Sequence, residues 1–186
     1  MILLTGFGPF GKITKNLSGE VVKIMKSEIN NHHLKKKILP VSWKKSLEHY
    51  KRIMILSKMA FELVILLGIH MRRNINIEKF GWNIAFGKDN EKKLKCGLIK
   101  RGRPFYLKTI LDINQIYSKL ENTTHISISY FAGSYLCNYI YYWALFLSNY
   151  EYPVLFIHIP QNMELDACLK KIESIIEIAL DMHKNS

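Results

Sequence analysis

Cysteine is scarce in this chain. Of its 186 residues only Cys96, Cys137 and Cys168 are cysteines, with no C-x-x-C pair; this argues against a disulfide framework or a zinc ribbon and makes reduced thiols the expectation. Long apolar runs are missing too. The longest, Tyr139 to Leu147, falls well short of the ~18–20 residues a bilayer requires, so no membrane span is expected. The opening Met1-Ile-Leu-Leu-Thr-Gly-Phe-Gly8 lacks both a basic segment and an extended hydrophobic one, so it does not read as a secretory signal, and the chain is read as cytosolic. Acidic residues are rare at first and commoner later: residues 1–108 hold 23 Lys+Arg and 7 Asp+Glu, residues 109–186 hold 4 and 8. No internal repeat and no low-complexity linker interrupts the chain, and its length fits a single domain over residues 1–186.

What is present is a core. Hydrophobic residues make up 48% and aromatic residues 12%, against 23% charged, which is enough apolar surface to offset ordering entropy and excludes intrinsic disorder. The net charge of +12 raises the question of a polyanionic partner. Its distribution argues against nucleic acid: only Lys92 to Arg103 is dense, and that stretch lacks the interleaved aromatics of a stacking platform. A solvated loop is expected there, with the abundance of Lys, Ile and Asn pointing to compositional bias of the source.

Along the chain, apolar runs alternate with helical spacing. Ile2 to Leu4 reads as a strand halted by the glycine-rich Thr5-Gly-Phe-Gly-Pro-Phe-Gly11, after which Ser18 caps a helix carrying Val21, Val22, Met25 and Ile29. Ile38 to Val41 is a short apolar segment, and Leu47, Tyr50, Ile53, Met54 and Met59 continue with a near-3.6 period. Phe61 to Leu67 ends at Gly68, His125 to Phe131 ends at Ala132-Gly133, and Val154 to Ile159 is a further strand; Tyr135 to Leu147 and Leu165 to Met182 read as helices. The stretch from Ile84 to Tyr106 is the least regular and reads as a surface excursion. This alternation predicts a three-layer α/β/α sandwich around a mostly parallel, twisted sheet. Ligands of such sheets bind on loops beyond strand ends, here Thr5 to Gly11, Ala132 to Cys137 and His158 to Pro160.

The chemistry concentrates on those loops. Cys137 stands where a strand feeds a helix start, and the helix dipole and unpaired N–H groups there favour the thiolate, the nucleophilic form of cysteine, and can contribute to an oxyanion hole. Cysteine alone is also a common buried hydrophobe. His158, at the end of an apolar strand closed by Pro160, is predicted at the same sheet edge, within reach as general base. A carboxylate must orient the imidazole, and Glu78 is a candidate, with Asp89 and Glu91 as fallbacks. His70, His125 and His183 lack partners at metal-ligand spacing, so neither a metal site nor a cofactor is predicted. His32 and His33 read as a solvent-exposed polar turn. The glycine-rich loop lacks the G-x-x-x-x-G-K-[ST] pattern of a phosphate cradle and has Pro9 where a donor is wanted.

Five segments in order, Thr5 to Gly11, Leu39-Pro-Val41 with Lys45-Ser46, Glu78-Lys-Phe-Gly-Trp-Asn83, Ala132-Gly-Ser-Tyr-Leu-Cys137-Asn138 and Phe156-Ile-His158-Ile-Pro160, resemble the motifs of pyroglutamyl-peptidase I, also called pyrrolidone-carboxylate peptidase. The resemblance covers residues 2–160. It implies a cysteine exopeptidase that removes an N-terminal pyroglutamyl residue from peptides, with Cys137 as nucleophile, His158 as base and Glu78 as third member. It further implies that Phe7 and Phe10 pack on the flat lactam ring with Tyr135 and Leu136 nearby, and that the chain self-associates into a homo-oligomer. Lys12 replaces a family glycine, the segment Gly68 to Arg72 is one residue shorter, Phe86 stands where the family carries arginine, and Arg72 or Arg73 matches another family arginine. The competing reading is a catalytically weakened relative that binds something else, such as a polyanion, through its basic N-terminal portion.

Overall fold

In a computed structural model, which describes residues 1–57, 61–121 and 123–184, the expected three layers form. In chain order the elements are β1 (Ile2–Phe7), α1 (Leu17–Ile24), β2 (Glu28–Ile29), β3 (His32–Leu39), α2 (Trp43–Leu56), β4 (Leu63–His70), β5 (Ile75–Glu78), β6 (Phe80–Trp82), β7 (Ala85–Lys88), β8 (Leu94–Gly97), β9 (Tyr106–Lys108), α3 (Ile113–Lys119), β10 (Ile126–Ser129), α4 (Leu136–Ser148), β11 (Val154–Pro160) and α5 (Leu165–Lys184). Seven strands make the central sheet in the order β10-β5-β11-β4-β1-β3-β2. Pairs along β11-β4-β1-β3 are parallel, whereas β5 runs antiparallel to β11 and takes β10 with it.

Strand alternation sorts the core onto two faces. Ile2 and Leu4, Ile65 and Leu67, and Leu155 and Ile157 pack under α1, α3 and α5. Leu3 and Phe7, Val64 and Leu66, and Val154 and Phe156 pack under α2 and α4. The second face carries the chemistry, because Gly68, Glu78 and His158 fall in the same even or odd phase as Leu66, Asn76 and Phe156 respectively.

Several local expectations are corrected. β1 runs on through Thr5, Gly6 and Phe7 rather than stopping at Leu4, because Gly6 lets the strand end press against the backbone of Ser18, where a Cβ would collide with the carbonyl. The cap of α1 is Asn16, whose side chain accepts from Ser18 N–H; Ser18 lies inside the helix and its hydroxyl accepts from Phe7 N–H instead. His32 and His33 begin β3 rather than forming a turn, with His32 paired to Glu62. The excursion from Ile84 to Tyr106 is ordered: β7 pairs with β8, and β6 with β9. Met59, expected on the face of α2, lies outside the described residues.

The basic stretch Lys92 to Arg103 is not simply solvated. Lys95 Nζ lies 5.1 Å from the Tyr139 ring centroid, Lys100 lies over Trp143 and Phe146, and Arg103 lies over Phe146, so α4 supplies ring faces that the segment itself lacks. Nothing in the fold favours the polyanion-binding alternative. Among the described residues no helix is long and apolar enough to cross a membrane.

Candidate active site

The site is assembled across the sheet, strand by strand. β11 presents His158 and the neighbouring β5 presents Glu78, whose Oε1 lies 2.8 Å from His158 Nδ1. Both are buried, Glu78 to 1% exposure, and Glu78 Oε2 has no hydrogen-bond partner among the described residues. A buried carboxylate with one bond depends on the imidazole for compensation, which favours the imidazolium form. Burial pulls the other way on His158. The sulfur of Cys137 and the carboxylate of Glu78 outweigh it and raise the imidazole to about 9.

Cys137 enters from the opposite layer, on the first turn of α4. Tyr135 caps that helix in extended conformation and offers no side-chain acceptor, so first-turn N–H groups remain for a ligand. Room for the thiol is made by Gly68 on β4, directly in register with His158. A Cβ at this position would lie 2.8 Å from Cys137 Sγ and equally close to the Phe156 ring. Gly68→Ala is therefore expected to displace the sulfur and lower kcat about 10- to 100-fold, with a stability loss of about 1–3 kcal/mol; steady-state kinetics and thermal melts check this.

The start of α4 is pinned by Asn138. Its Oδ1 accepts from Trp82 N–H at 2.8 Å and its Nδ2 donates to the carbonyls of Trp82 and Ile84, fixing the β6–β7 connection to the turn that carries the thiol. Asn138 has no role predicted from sequence. A buried amide at the start of an otherwise apolar helix is the signal that could have found it.

In front of Cys137 and His158 lies a cavity of about 190 Å³ whose walls include Phe7, Phe10, Tyr135 and Leu136. All four residues expected in the pocket are thus brought together. Phe10 is held by reciprocal backbone bonds with Ile13, and Asn16 Nδ2 donates to Gly8 carbonyl at 3.0 Å. Tyr135 donates its hydroxyl to the Lys88 carbonyl at 2.8 Å and sits edge-on to Trp43, 5.2 Å between centroids. The remaining walls include Val41 and Ile69, and among the described residues no Asp or Glu lines the cavity.

The fallback carboxylates do other work. Asp89 accepts from the backbone N–H groups of Trp43, Glu91 and Lys93, and although burial opposes it these bonds hold its carboxyl below the usual range. Glu91 pairs with Lys45. Phe86 is exposed, and its N–H donates to the Ser134 carbonyl at 2.7 Å. Cys96 is exposed on β8, and Cys168 is buried in α5, where burial first and Glu164 second push its thiol up to about 12.

His70, set aside in the sequence for want of metal partners, stacks on His158 with 5.4 Å between centroids and 15° between planes. Its Nε2 donates to the Asn74 carbonyl at 2.8 Å. Burial, then the charge of His158, keeps it below its ordinary value, as expected of a neutral ring lying on an imidazolium.

The family model described as pyroglutamyl peptidase matches residues 1–182. The pyrrolidone-carboxylate peptidase of Thermococcus litoralis is 32% identical over 97% of this chain and 93% of its own, and that of Bacillus cytotoxicus is 30% identical over 99% and 94%. Among solved structures, the pyrrolidone carboxyl peptidase of Thermococcus litoralis superposes with a TM-score of 0.91 at 28% identity, covering 99% of this chain and 94% of that one. Pyroglutamyl peptidase I of Bacillus amyloliquefaciens gives 0.88 at 27% identity, covering 98% and 97%. Alike in sequence and in fold along nearly its whole length, the chain belongs to the pyroglutamyl peptidase family.

Proposed function

We propose that Cys137, His158 and Glu78 act together to cleave the bond after an N-terminal pyroglutamyl residue. The observation that carries this reading is the line from carboxylate to imidazole to thiol, opening on an aromatic cavity without an acid. With Nδ1 held by Glu78, Nε2 is the ring nitrogen left to face the sulfur. The Cys137 thiolate attacks the pyroglutamyl carbonyl carbon, and the oxyanion is met by backbone N–H groups at the start of α4. His158 passes its Nε2 proton to the leaving amine, leaving a thioester. Neutral His158 then takes a proton from water, which attacks the thioester and releases pyroglutamate and the thiolate.

The cavity accounts for the choice of substrate. A pyroglutamyl ring is flat and carries no α-ammonium, so Phe7, Phe10 and Tyr135 suit it, while an ordinary amino terminus would enter uncompensated. The test is release of a chromophore from pyroglutamyl amide set beside prolyl and glutamyl amides. Turnover of the first alone is expected; equal turnover of prolyl amide, or none of pyroglutamyl amide by folded, reduced protein, would overturn the reading.

The raised His158 also sets a pH dependence. Protonated imidazole is needed to expel the amine, so kcat/KM is expected to fall with rising pH along a limb near 9. A limb at an ordinary histidine value would contradict the coupling of His158 to Cys137 and Glu78. The same reading takes a cytosolic setting and a self-associating chain, the latter checked by light scattering.

A further inference from the structure

The order of strands gives the substrate a direction. Phe7 on β1 and Val41 beyond β3 wall the ring cavity, the sulfur stands over Gly68 on β4, and His158 follows on β11. Next come Asn76 on β5, in register with His158, and Ser127 on β10, in register with Asn76. These residues share one face of the sheet, and Ser127 donates its hydroxyl to Asn76 Oδ1 at 2.8 Å. A substrate whose ring, acyl carbon and leaving nitrogen follow that order must lay its next residues over β5 and β10.

There the surface opens into a cleft of about 590 Å³, floored by Asn76, Ser127 and Ser129 and walled by Arg72 and Arg73. An adjoining hollow of about 330 Å³ shares both arginines and adds His70 and His125. Among the described residues, neither is lined by an Asp or Glu. Both arginines are exposed, and neither forms a salt bridge among the described residues. Lys79 Nζ adds a further positive charge, 5.4 Å from the ring centroid of Tyr130 at the cleft's edge. The nearby carboxylate of Glu78 is buried and bonded to His158.

We propose that this cleft is the subsite for the leaving peptide, and that Arg72 and Arg73 make it selective for a carboxylate there, on an acidic side chain or at the terminus of a short peptide. The inference rests on the pyroglutamyl-peptidase reading and names the other half of its substrate. Arginine suits the task because its planar fork pairs with carboxylate in two places. Its contact is made before and during the chemical step alike, so selectivity belongs in KM more than in kcat.

The experiment uses matched pairs: pyroglutamyl-glutamate amide against pyroglutamyl-glutamine amide for a side-chain carboxylate, and pyroglutamyl-alanine against its amide for a terminal one. At low salt the wild-type protein is expected to favour the carboxylate by about three- to tenfold in kcat/KM, and whichever pair shows it identifies the source. The ratio should collapse towards one at 1 M salt, where screening acts within ~3 Å. It should invert in the Arg72→Glu, Arg73→Glu double variant. Each ratio is taken within one protein, so any general loss of activity cancels. Ratios near one in both wild-type pairs, or ratios unmoved by the double substitution, overturn the subsite while the peptidase reading stands. No hydrolysis of any member overturns both.

Discussion

Cys137→Ala is expected to reduce turnover of pyroglutamyl amide by roughly 10⁴- to 10⁶-fold, the scale on which removing a covalent nucleophile acts. No other thiol can stand in. Cys96 lies exposed on the β7–β8 hairpin and Cys168 is buried in α5, on the far side of the sheet from His158. Alanine is a good helix former, so the fold should be retained, but the melting temperature should fall at neutral pH, where the sulfur helps His158 hold its proton. Mass spectrometry of wild-type protein inactivated by substoichiometric iodoacetamide should find the label on Cys137. Turnover persisting in the variant, or inactivation tracking another cysteine, would remove Cys137 from the mechanism.

Glu78→Gln should lower kcat by about 10³- to 10⁴-fold while leaving KM nearly unchanged, because an amide neither stabilises the imidazolium nor holds the useful tautomer. The KM expectation follows from the cavity, whose walls include His158 and Cys137 but not Glu78. Stability gives an independent readout. Burial lowers the His158 value, yet Cys137 and Glu78 raise it from 6.5 to about 9, so between those values the folded protein binds the proton that the unfolded chain has released. The contribution is therefore complete below about 6.5 and disappears as pH rises through about 9. The difference in melting temperature between wild type and Glu78→Gln should be widest in neutral to mildly acidic solution and narrow above 9. A constant difference would show that Glu78 acts without the charge of His158.

The nearness of Cys137 and His158 is legible because each sits at the mouth of a strand, and one sheet edge collects such mouths; Phe7, Phe10, Tyr135 and Leu136 enter through the family resemblance alone, and the fold brings all six to one cavity. The layering was legible as well, since α4, α5, β4 and β11 carry unmistakable periods or runs. What sequence did not reveal is what depends on lateral neighbours. The reversal of β5 against β11 leaves no local mark, yet it alone sets Glu78 beside His158. The stack of His70 on His158 follows from the register that pairs His158 with Gly68 and Pro160 with His70, and register belongs to two strands at once. β7 and β8 eluded periodicity because most of their residues are not buried. Gly68 did carry a sign, since glycine inside an apolar strand marks a close approach.

Among the described residues β11 is the last strand in chain order, yet it lies inside the sheet, between β4 and β5. During synthesis the chain must therefore carry two unsatisfied strand edges from the completion of β5 at Glu78 onward, and it cannot seal them until residues 154–160 have emerged. The same closing event delivers the imidazole to the thiol, and Gln161 then bridges to the other end of the chain by accepting from Leu17 N–H and donating to the Lys15 carbonyl. A product lacking this segment has neither His158 nor a continuous sheet, and the open edges of β4 and β5 expose it to edge-to-edge aggregation.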